Sequence, residues 1–191
     1  NMLKNGDGID LNNVESSMYL IKAIDKNSVE AMLIYADMLR FGAKGIKVDK
    51  KKAACLYKIA AYRGNEDAMF NYASMSYTGE GINKNLKEAF KYFKLAAKKG
   101  EIRSIYYLAH LLFHGEGTRV NVIEAAKYYK LAADKGFDYA ILNYGILLHF
   151  GIGVNCDETE AKKYFLTLIF KKLVEFCNYV IIYAILKMKS K

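Results

Sequence analysis

The sequence predicts an all-α protein built as a solenoid of helix pairs, and three observations support this prediction. First, the apolar residues recur with the helical period of about 3.6 residues. Second, the 191 residues contain no proline, so the turns that usually separate β-strands are missing. Third, self-similarity with a period of about 20–50 residues is typical of solenoids. Here a Gly-x-Gly loop returns every 36 or 37 residues, with its second glycine at Gly8, Gly45, Gly81, Gly117 and Gly153.

The repeats organise residues 1–191 as a single helical domain. A half repeat at 6–27 comes first, and a degenerate C-terminal cap at 173–191 comes last. Because the first loop has only five residues before it and residue 1 is not Met, we expect the chain to be a piece of a longer protein. The four full repeats run over 28–64, 65–100, 101–136 and 137–172.

Each full repeat predicts two helices, and the start of the second is the better marked. An Asp or Asn four residues after the second glycine can accept a hydrogen bond from a free N–H of the helix's first turn. A Glu three residues later predicts a reciprocal capping box in all but one repeat. The predicted caps are Asn12, Asp49, Asn85, Asn121 and Asp157, and the glutamates are Glu15, Glu88, Glu124 and Glu160.

The end of the chain departs from the pattern. Leu168 and Ile169 replace an Ala-Ala pair, and Lys172 replaces the glycine that ends the other second helices. The apolar segment 180–186 predicts a last capping helix, with a short membrane-seeking segment as the alternative. No run of 18 apolar residues occurs, so no membrane span is expected.

The repeated residues resemble the Sel1-like repeat, a relative of the tetratricopeptide repeat. The resemblance implies a right-handed superhelix that acts as a non-catalytic adaptor and assembles protein complexes through a groove lined by the first helices. The residues that carry it are the small first-helix residues Ala36, Ala73, Ala109 and Gly145, and the second-helix pairs Ala89 and Tyr92, Ala125 and Tyr128, and Ala161 and Tyr164.

The resemblance also indicates which first-helix positions face the groove. These positions vary in charge, size and polarity between repeats, as a heteropolymeric peptide ligand would require. Asn71 and Asn143 can bind a ligand backbone through their amides, whereas Phe70, Tyr106 and Leu142, which share one register, could instead pack between adjacent first helices. The predicted partner-binding residues are Asp37, Arg40, Phe70, Asn71, Ser74, Tyr77, Tyr106, His110, Phe113, Leu142, Asn143, Ile146 and His149.

No enzyme chemistry, metal or cofactor is predicted. The Gly-x-Gly loops lack the Lys-Ser or Lys-Thr of a phosphate-binding loop. His110 and His114 stand four residues apart without an acidic or Cys ligand. Cys55 is predicted to be a core residue, and three widely spaced cysteines favour a reducing, cytoplasmic compartment over a disulfide framework.

The net charge of +9 needs a separate interpretation. Of the 29 basic residues 25 are lysines, many of them on the predicted second helices, such as Lys91 and Lys94. Nucleic-acid readers favour arginine forks with stacked aromatics, so a protein or peptide partner is preferred over nucleic acid. Two alternatives stay open: a regulatory or targeting region of a larger enzyme such as a kinase, and a basic surface that binds nucleic acid.

Overall fold

The computed structural model describes the backbone of residues 13–189 and the side chains of residues 15–176. This part of the chain forms nine α-helices and no β-strand, which confirms the predicted all-α fold. An isolated bridge joins Ala43 to Ile46 in the loop that is one residue longer than the others. The helices are α1 (Asn13–Asp25), α2 (Val29–Phe41), α3 (Lys50–Tyr62), α4 (Glu66–Thr78), α5 (Leu86–Lys98), α6 (Ile102–His114), α7 (Val122–Asp134), α8 (Asp138–Phe150) and α9 (Glu158–Lys189).

The helices belong to two compact units. The first unit comprises the chain up to Ser104 together with 116–119, and thus α1 to α5. The second comprises 105–115 and the chain from Val120 onward, and thus most of α6 with α7, α8 and α9. We call α2, α4, α6 and α8 the first helices, and α3, α5, α7 and α9 the second helices. The predicted single domain and its repeat boundaries stay a prediction.

Small residues let the helices of each unit approach closely. In the first unit α3 packs against both α2 and α4, and α4 packs against α5. In the second unit α8 packs against both α7 and α9. An alanine at the contact brings two backbones together, and larger side chains fill the space beside it. The fully buried alanines include Ala36, Ala53, Ala60, Ala73, Ala89 and Ala96 in the first unit, and Ala109, Ala125, Ala126, Ala132 and Ala140 in the second.

The four predicted helix caps within the described residues form, but the three capping boxes predicted there do not. The Asn85 Oδ1 accepts a hydrogen bond of 3.0 Å from the Glu88 backbone N–H, and Asp49, Asn121 and Asp157 cap their helices in the same way. A capping box would direct the Glu88 carboxylate to the Asn85 backbone N–H. That N–H instead donates to the carbonyl of Ser76 in α4 at 2.8 Å.

The same bond recurs at every described second helix, where it joins the cap to the last turn of the preceding first helix. The backbone N–H groups of Asp49, Asn121 and Asp157 donate to carbonyls nine or ten residues earlier, at 2.8–2.9 Å. This bond satisfies the N–H that the box would have used. Asn12, the remaining predicted cap, lies outside the described residues.

The second glycine of each of three loops touches the start of the preceding second helix. At Gly117, where φ is +71°, an added Cβ would lie 2.1 Å from the carbonyl oxygen of Leu86, the first residue of α5. Gly81 approaches Lys50 in the same manner, and Gly153 approaches Val122 in the second unit. Because backbone atoms occupy the Cβ position, only glycine fits there.

The C-terminal region differs from the prediction. We expected a second helix ending near 172 and a separate capping helix over 180–186, but α9 is continuous from Glu158 to Lys189. Lys172 stands where the other second helices have a glycine with positive φ, so the chain continues helically. The described chain therefore has nine helices where the sequence predicted about ten. None of the described helices is both long and apolar enough to span a membrane.

One core prediction is wrong and another is wrong in part. Cys55 is exposed, because α3 turns its alanines on either side of Cys55 into the core instead. The Ala-Ala pair that recurs before the closing glycine predicts burial of Ala96, Ala97, Ala132 and Ala133; three of these are buried, whereas Ala97 is only half-buried.

The glycine contact predicts a difference between two substitutions in the first unit. Gly117→Ala and Gly100→Ala both place a side chain at positive φ, which costs about 1–2 kcal/mol. Only Gly117→Ala also forces a Cβ into backbone, whereas nothing lies within 4 Å of a Cβ at Gly100. We expect urea unfolding to show an additional loss of about 1–3 kcal/mol for Gly117→Ala. Equal losses would show that the loop is not held by this contact.

The alanine contacts predict that added volume destabilises the stack. Ala96→Leu and Ala132→Leu should each lower the free energy of unfolding by about 1–3 kcal/mol, because both sites are fully buried and closely packed. Ala97→Leu is the matched control, since it adds the same atoms at the neighbouring half-buried position. An unchanged urea midpoint for both buried substitutions would contradict the described packing.

Candidate functional site on the exposed faces of the first helices

The thirteen predicted partner-binding residues lie on the four first helices, and none of them is buried. Asp37, Leu142, Ile146 and His149 are exposed, and the remaining nine are half-buried. The first-unit surface consists of Asp37, Arg40, Phe70, Asn71, Ser74 and Tyr77. The second-unit surface consists of Tyr106, His110, Phe113, Leu142, Asn143, Ile146 and His149.

Arg40 organises the first-unit surface. Its Nε and Nη2 donate to one carboxylate oxygen of Glu80, at 3.0 and 2.7 Å. Its Nη1 donates to the Asn71 Oδ1 at 3.4 Å. Lys50 lies 3.1 Å from the other carboxylate oxygen of Glu80. The hydrogen bond from Arg40, and then that from Lys50, holds the pKa of Glu80 below its ordinary value.

This network changes the role predicted for Asn71. The Asn71 side-chain oxygen already accepts a bond from Arg40, so its amide N–H₂ is the part left to donate to a ligand. Arg40 itself is held in one orientation between α2, α4 and the loop that contains Glu80. A side chain fixed in this way loses little rotamer entropy if it contacts a partner.

Asp37 is exposed, but its carboxylate is hydrogen-bonded to a buried residue. Its carboxylate accepts a hydrogen bond from the hydroxyl of Tyr57, a fully buried residue of α3. Burial, followed by the bond to the Asp37 carboxylate, raises the pKa of Tyr57 well above its usual range. Asp37 therefore links the core to the surface and keeps its negative charge at a fixed place.

Phe70 and Tyr77 make different packing contacts within the first unit. The Phe70 ring lies 5.9 Å from the Phe93 ring of α5, and the Arg103 guanidinium lies 4.0 Å above it. Phe70 thus packs against the second helix α5 as well as against Arg103 at the start of α6. Tyr77 remains half-buried, with the Lys84 ammonium 5.7 Å from its ring centre.

Tyr106 is part of an aromatic cluster in the second unit. Its ring lies 5.1 Å from Phe137, 5.7 Å from Tyr129 and 6.1 Å from Tyr139. The Asn143 Nδ2 donates to the Tyr106 hydroxyl at 3.5 Å. Tyr106 and Asn143 are therefore joined to each other, and Tyr106 also packs within the unit.

The remainder of the second-unit surface is apolar and aromatic. Leu142 and Ile146, one turn apart on α8, are both exposed and line up with the exposed His149. On α6 the rings of His110 and His114 stack 4.4 Å apart, and Phe113 contacts His114 at 5.0 Å. No group of three potential metal ligands exists among the residues whose side chains are described.

Sequence reasoning missed Tyr57 and Glu80, which fix Asp37 and Arg40 from outside the first helices. The Gly-Glu-Gly loop that contains Glu80 can be recognised in the sequence. Nothing in the sequence indicates, however, that Glu80 binds an arginine 40 residues earlier. It also missed a shallow depression on the second-helix face of the second unit. That depression is lined by Asn121, Ile123, Glu124, Lys127, Tyr128 and Leu131 of α7 and its cap.

Second-helix lysines are engaged in internal contacts. Lys58 binds Glu88 at 3.1 Å, and Lys130 binds Asp134 at 3.2 Å and the Tyr164 hydroxyl at 3.3 Å. These contacts neutralise part of the positive charge that the sequence places on this face.

A family model described as the Sel1 repeat matches the chain five times in succession. Curated protein sequences give no match. The matched segments are 1–28, 29–65, 66–101, 102–137 and 138–167.

Solved structures are similar to the chain over most of its length. A protective antigen of uropathogenic Escherichia coli strains with an SLR fold matches with a TM-score of 0.85 and 24% identity, over 88% of this chain and 36% of its own. A Sel1 repeat protein from Oxalobacter formigenes matches with a TM-score of 0.76 and 27% identity, over 82% and 64%. Helicobacter pylori cysteine rich protein B matches with a TM-score of 0.53 and 18% identity, over 71% and 97%. The chain thus spans less than two thirds of the first two proteins.

The Arg40–Glu80 contact predicts a pH-dependent stability difference. Because the pKa of Glu80 is lowered from 4.5 in the folded state, its contribution is present above pH 4.5 and is lost as the pH falls below it. At pH 7, Glu80→Gln should cost about 1 kcal/mol in urea unfolding, and the difference from wild type should shrink in acid. Glu66→Gln, an exposed change in the first turn of α4, should cost only a few tenths of a kcal/mol. Equal stability of wild type and Glu80→Gln at pH 7 would contradict the contact.

Proposed function

The chain belongs to the Sel1 repeat family, whose members are typically scaffolds for protein interaction, and we propose that it is a non-catalytic adaptor binding a protein or peptide through its first-helix surfaces. One observation supports this proposal above the others. On each first helix, one buried position always holds a small residue, while the residue that follows it differs in every full repeat.

The constant position is the small buried residue. Ala36, Ala73 and Ala109 hold it in three repeats, and all three are fully buried. The fold explains this constancy, because helix packing requires a small side chain there.

The variable position is the next residue along the chain. It is Asp37 in the first full repeat, then Ser74, His110 and Ile146 in those that follow. An acid, a hydroxyl, an imidazole and a branched alkyl group in one register, exposed or half-buried in each repeat, have no common packing role. Such variation on a regular framework is what recognition of an irregular partner requires.

The two surfaces favour different chemistry in the partner. The first-unit surface offers the fixed carboxylate of Asp37 and the amide N–H₂ of Asn71, so it suits polar groups. The second-unit surface exposes Leu142 and Ile146 beside histidines, so it suits an apolar side chain. Buried apolar anchors commonly supply most of the affinity of an interface.

Nucleic acid is a poorer partner for this surface arrangement. Three of the four arginines are engaged within the first unit: Arg40 with Glu80, Arg63 with Asn27, and Arg103 with Asp67 and Glu101. They are therefore not free to form forks to phosphates or base edges. The adaptor proposal holds equally if the chain serves as a regulatory or targeting region of a larger enzyme.

A pair of double substitutions tests the proposal. Leu142→Glu with Ile146→Glu places charge on the second-unit surface, and Ile123→Glu with Leu131→Glu makes the same changes at exposed positions of α7. In affinity capture with quantitative mass spectrometry, proteins retained by wild type should be lost with the first pair and kept with the second. The opposite pattern would show that the second-helix face, with its depression on α7, is the binding site.

For the partner so identified, single truncations give the size of the effect. Leu142→Ala should weaken binding by on the order of 1–2 kcal/mol, about fivefold to thirtyfold in Kd. Leu131→Ala is the matched control, because Leu131 is 43% exposed and Leu142 is 41% exposed. Tyr77→Ala tests the first-unit surface by the same calorimetric titration. Tyr106→Ala is less informative, because Tyr106 also packs against Phe137 and Tyr129.

A further inference from the structure

The middle of α9 carries an uncovered apolar face. Six large apolar side chains on it are each 51–64% exposed. Their positions fall within about 160° of arc at 3.6 residues per turn, so they form one continuous face, which we call the α9 face. The α9 face consists of Leu166, Ile169, Phe170, Leu173, Val174 and Phe176.

The opposite side of α9 is fixed to the second unit. The Lys171 Nζ lies 2.5 Å from the Asp138 Oδ1 and donates to the Gly136 carbonyl at 2.8 Å. The Lys172 Nζ lies 2.5 Å from the other Asp138 oxygen. These bonds, first from Lys171 and then from Lys172, lower the pKa of Asp138. Asp138 opens α8, so both lysines hold the polar side of α9 against α8 and turn the α9 face away from it.

The α9 face does not suit another repeat of the same kind. In the register of Ile169 the inner second helices have alanine in every case: Ala61 and Ala133 are buried to 2% and 5% exposure, and Ala97 is half-buried. Ile169 itself is 60% exposed. Its side chain has four heavy atoms where alanine has one, so it would overfill the closely packed contact that another repeat would make. Overpacking of this kind typically costs about 1–3 kcal/mol.

Size and charge indicate what covers this face. Six such side chains expose roughly 600 Å² of apolar surface, at the upper end for a monomer's largest patch and near the ~800 Å² that each partner buries in a standard interface. None of the six is charged, and the adjacent Lys172 is paired with Asp138 and Glu175. An anionic membrane would be recognised by unpaired lysines beside the apolar residues, whereas both lysines within the stretch from Leu166 to Phe176, Lys171 and Lys172, are paired with carboxylates.

We propose that the α9 face binds the α9 face of a second copy of this chain, forming a two-fold symmetric dimer. An uncharged apolar surface is complementary to itself, as a two-fold interface requires. Its neutrality also lets two chains of net charge +9 approach without like charges meeting at the contact. The six residues of the α9 face include none of the first-helix surface residues.

Light scattering coupled to size exclusion tests the proposal on the 191-residue chain at about 10 and 100 μM, a range in which weak dimers dissociate and reassociate. Wild type should approach twice 21.7 kDa at the higher concentration. Ile169→Glu should return the mass to 21.7 kDa. Ile123→Glu is the matched control, because Ile123 is the same residue type with the same 60% exposure on α7, and it should leave the dimer intact.

Three outcomes would overturn the proposal. Wild type could remain monomeric at the higher concentration, Ile169→Glu could remain dimeric, or Ile123→Glu could dissociate the dimer. Leu173→Glu, at an exposed site beyond the packed part of α9, decides the result if Ile169→Glu loses helix by circular dichroism. Monomeric wild type that floats with phosphatidylserine-containing vesicles, and loses flotation on Ile169→Glu, would make lipid the occupant. The measurement uses no other protein, so its failure leaves the adaptor proposal untouched.

Discussion

The structure of each unit depends on a backbone contact that only glycine allows. Gly117 brings its loop against the carbonyl of Leu86, and Gly153 does the same at Val122, each with φ near +71°. The contact places a loop on the first turn of the preceding second helix and so sets the spacing between successive helix pairs. Once that spacing is fixed, the helices lie too close for large side chains, which explains why the buried positions between them are alanine.

A second constraint acts where each second helix begins. The cap side chain accepts a bond from its own helix, while the cap backbone N–H donates to the preceding first helix, as at Asn85 and Ser76. One residue thus starts a helix and fixes its angle to the previous one. Because loop, cap and alanines specify the repeated framework, the unburied first-helix positions can differ between repeats, and their contacts, such as that of Arg40 with Glu80, occur once rather than in every repeat.

The sequence predicted most of what recurs between repeats, but not the bond from each cap N–H to the preceding first helix, for which it predicted a capping box instead. The four described caps, the glycine turns and the burial of Ala96 and Ala132 follow from local chemistry that returns every 36 residues. It did not predict contacts that occur once. Arg40 occupies a register that holds Tyr77 in the next repeat, so no pattern could reveal its bond to Glu80. Of the candidate site, the sequence indicated the helices and the exposed register, while the contacts that fix individual side chains required the structure.

In the last repeat some of the recurring residues are replaced, and its second helix presents a different surface as a result. A glycine in the register of Lys172 would favour ending α9, as glycines do at α3, α5 and α7. With lysine there, the helix continues, and the lysine finds Asp138 at the start of α8. That ion pair holds one side of the extended helix, and its other side, where Ile169 replaces alanine, is left exposed. Three changes within five residues, at 168, 169 and 172, therefore convert a position for stacking another repeat into a separate apolar face. The physical requirement for small residues at repeat contacts makes these two uses of α9 mutually exclusive.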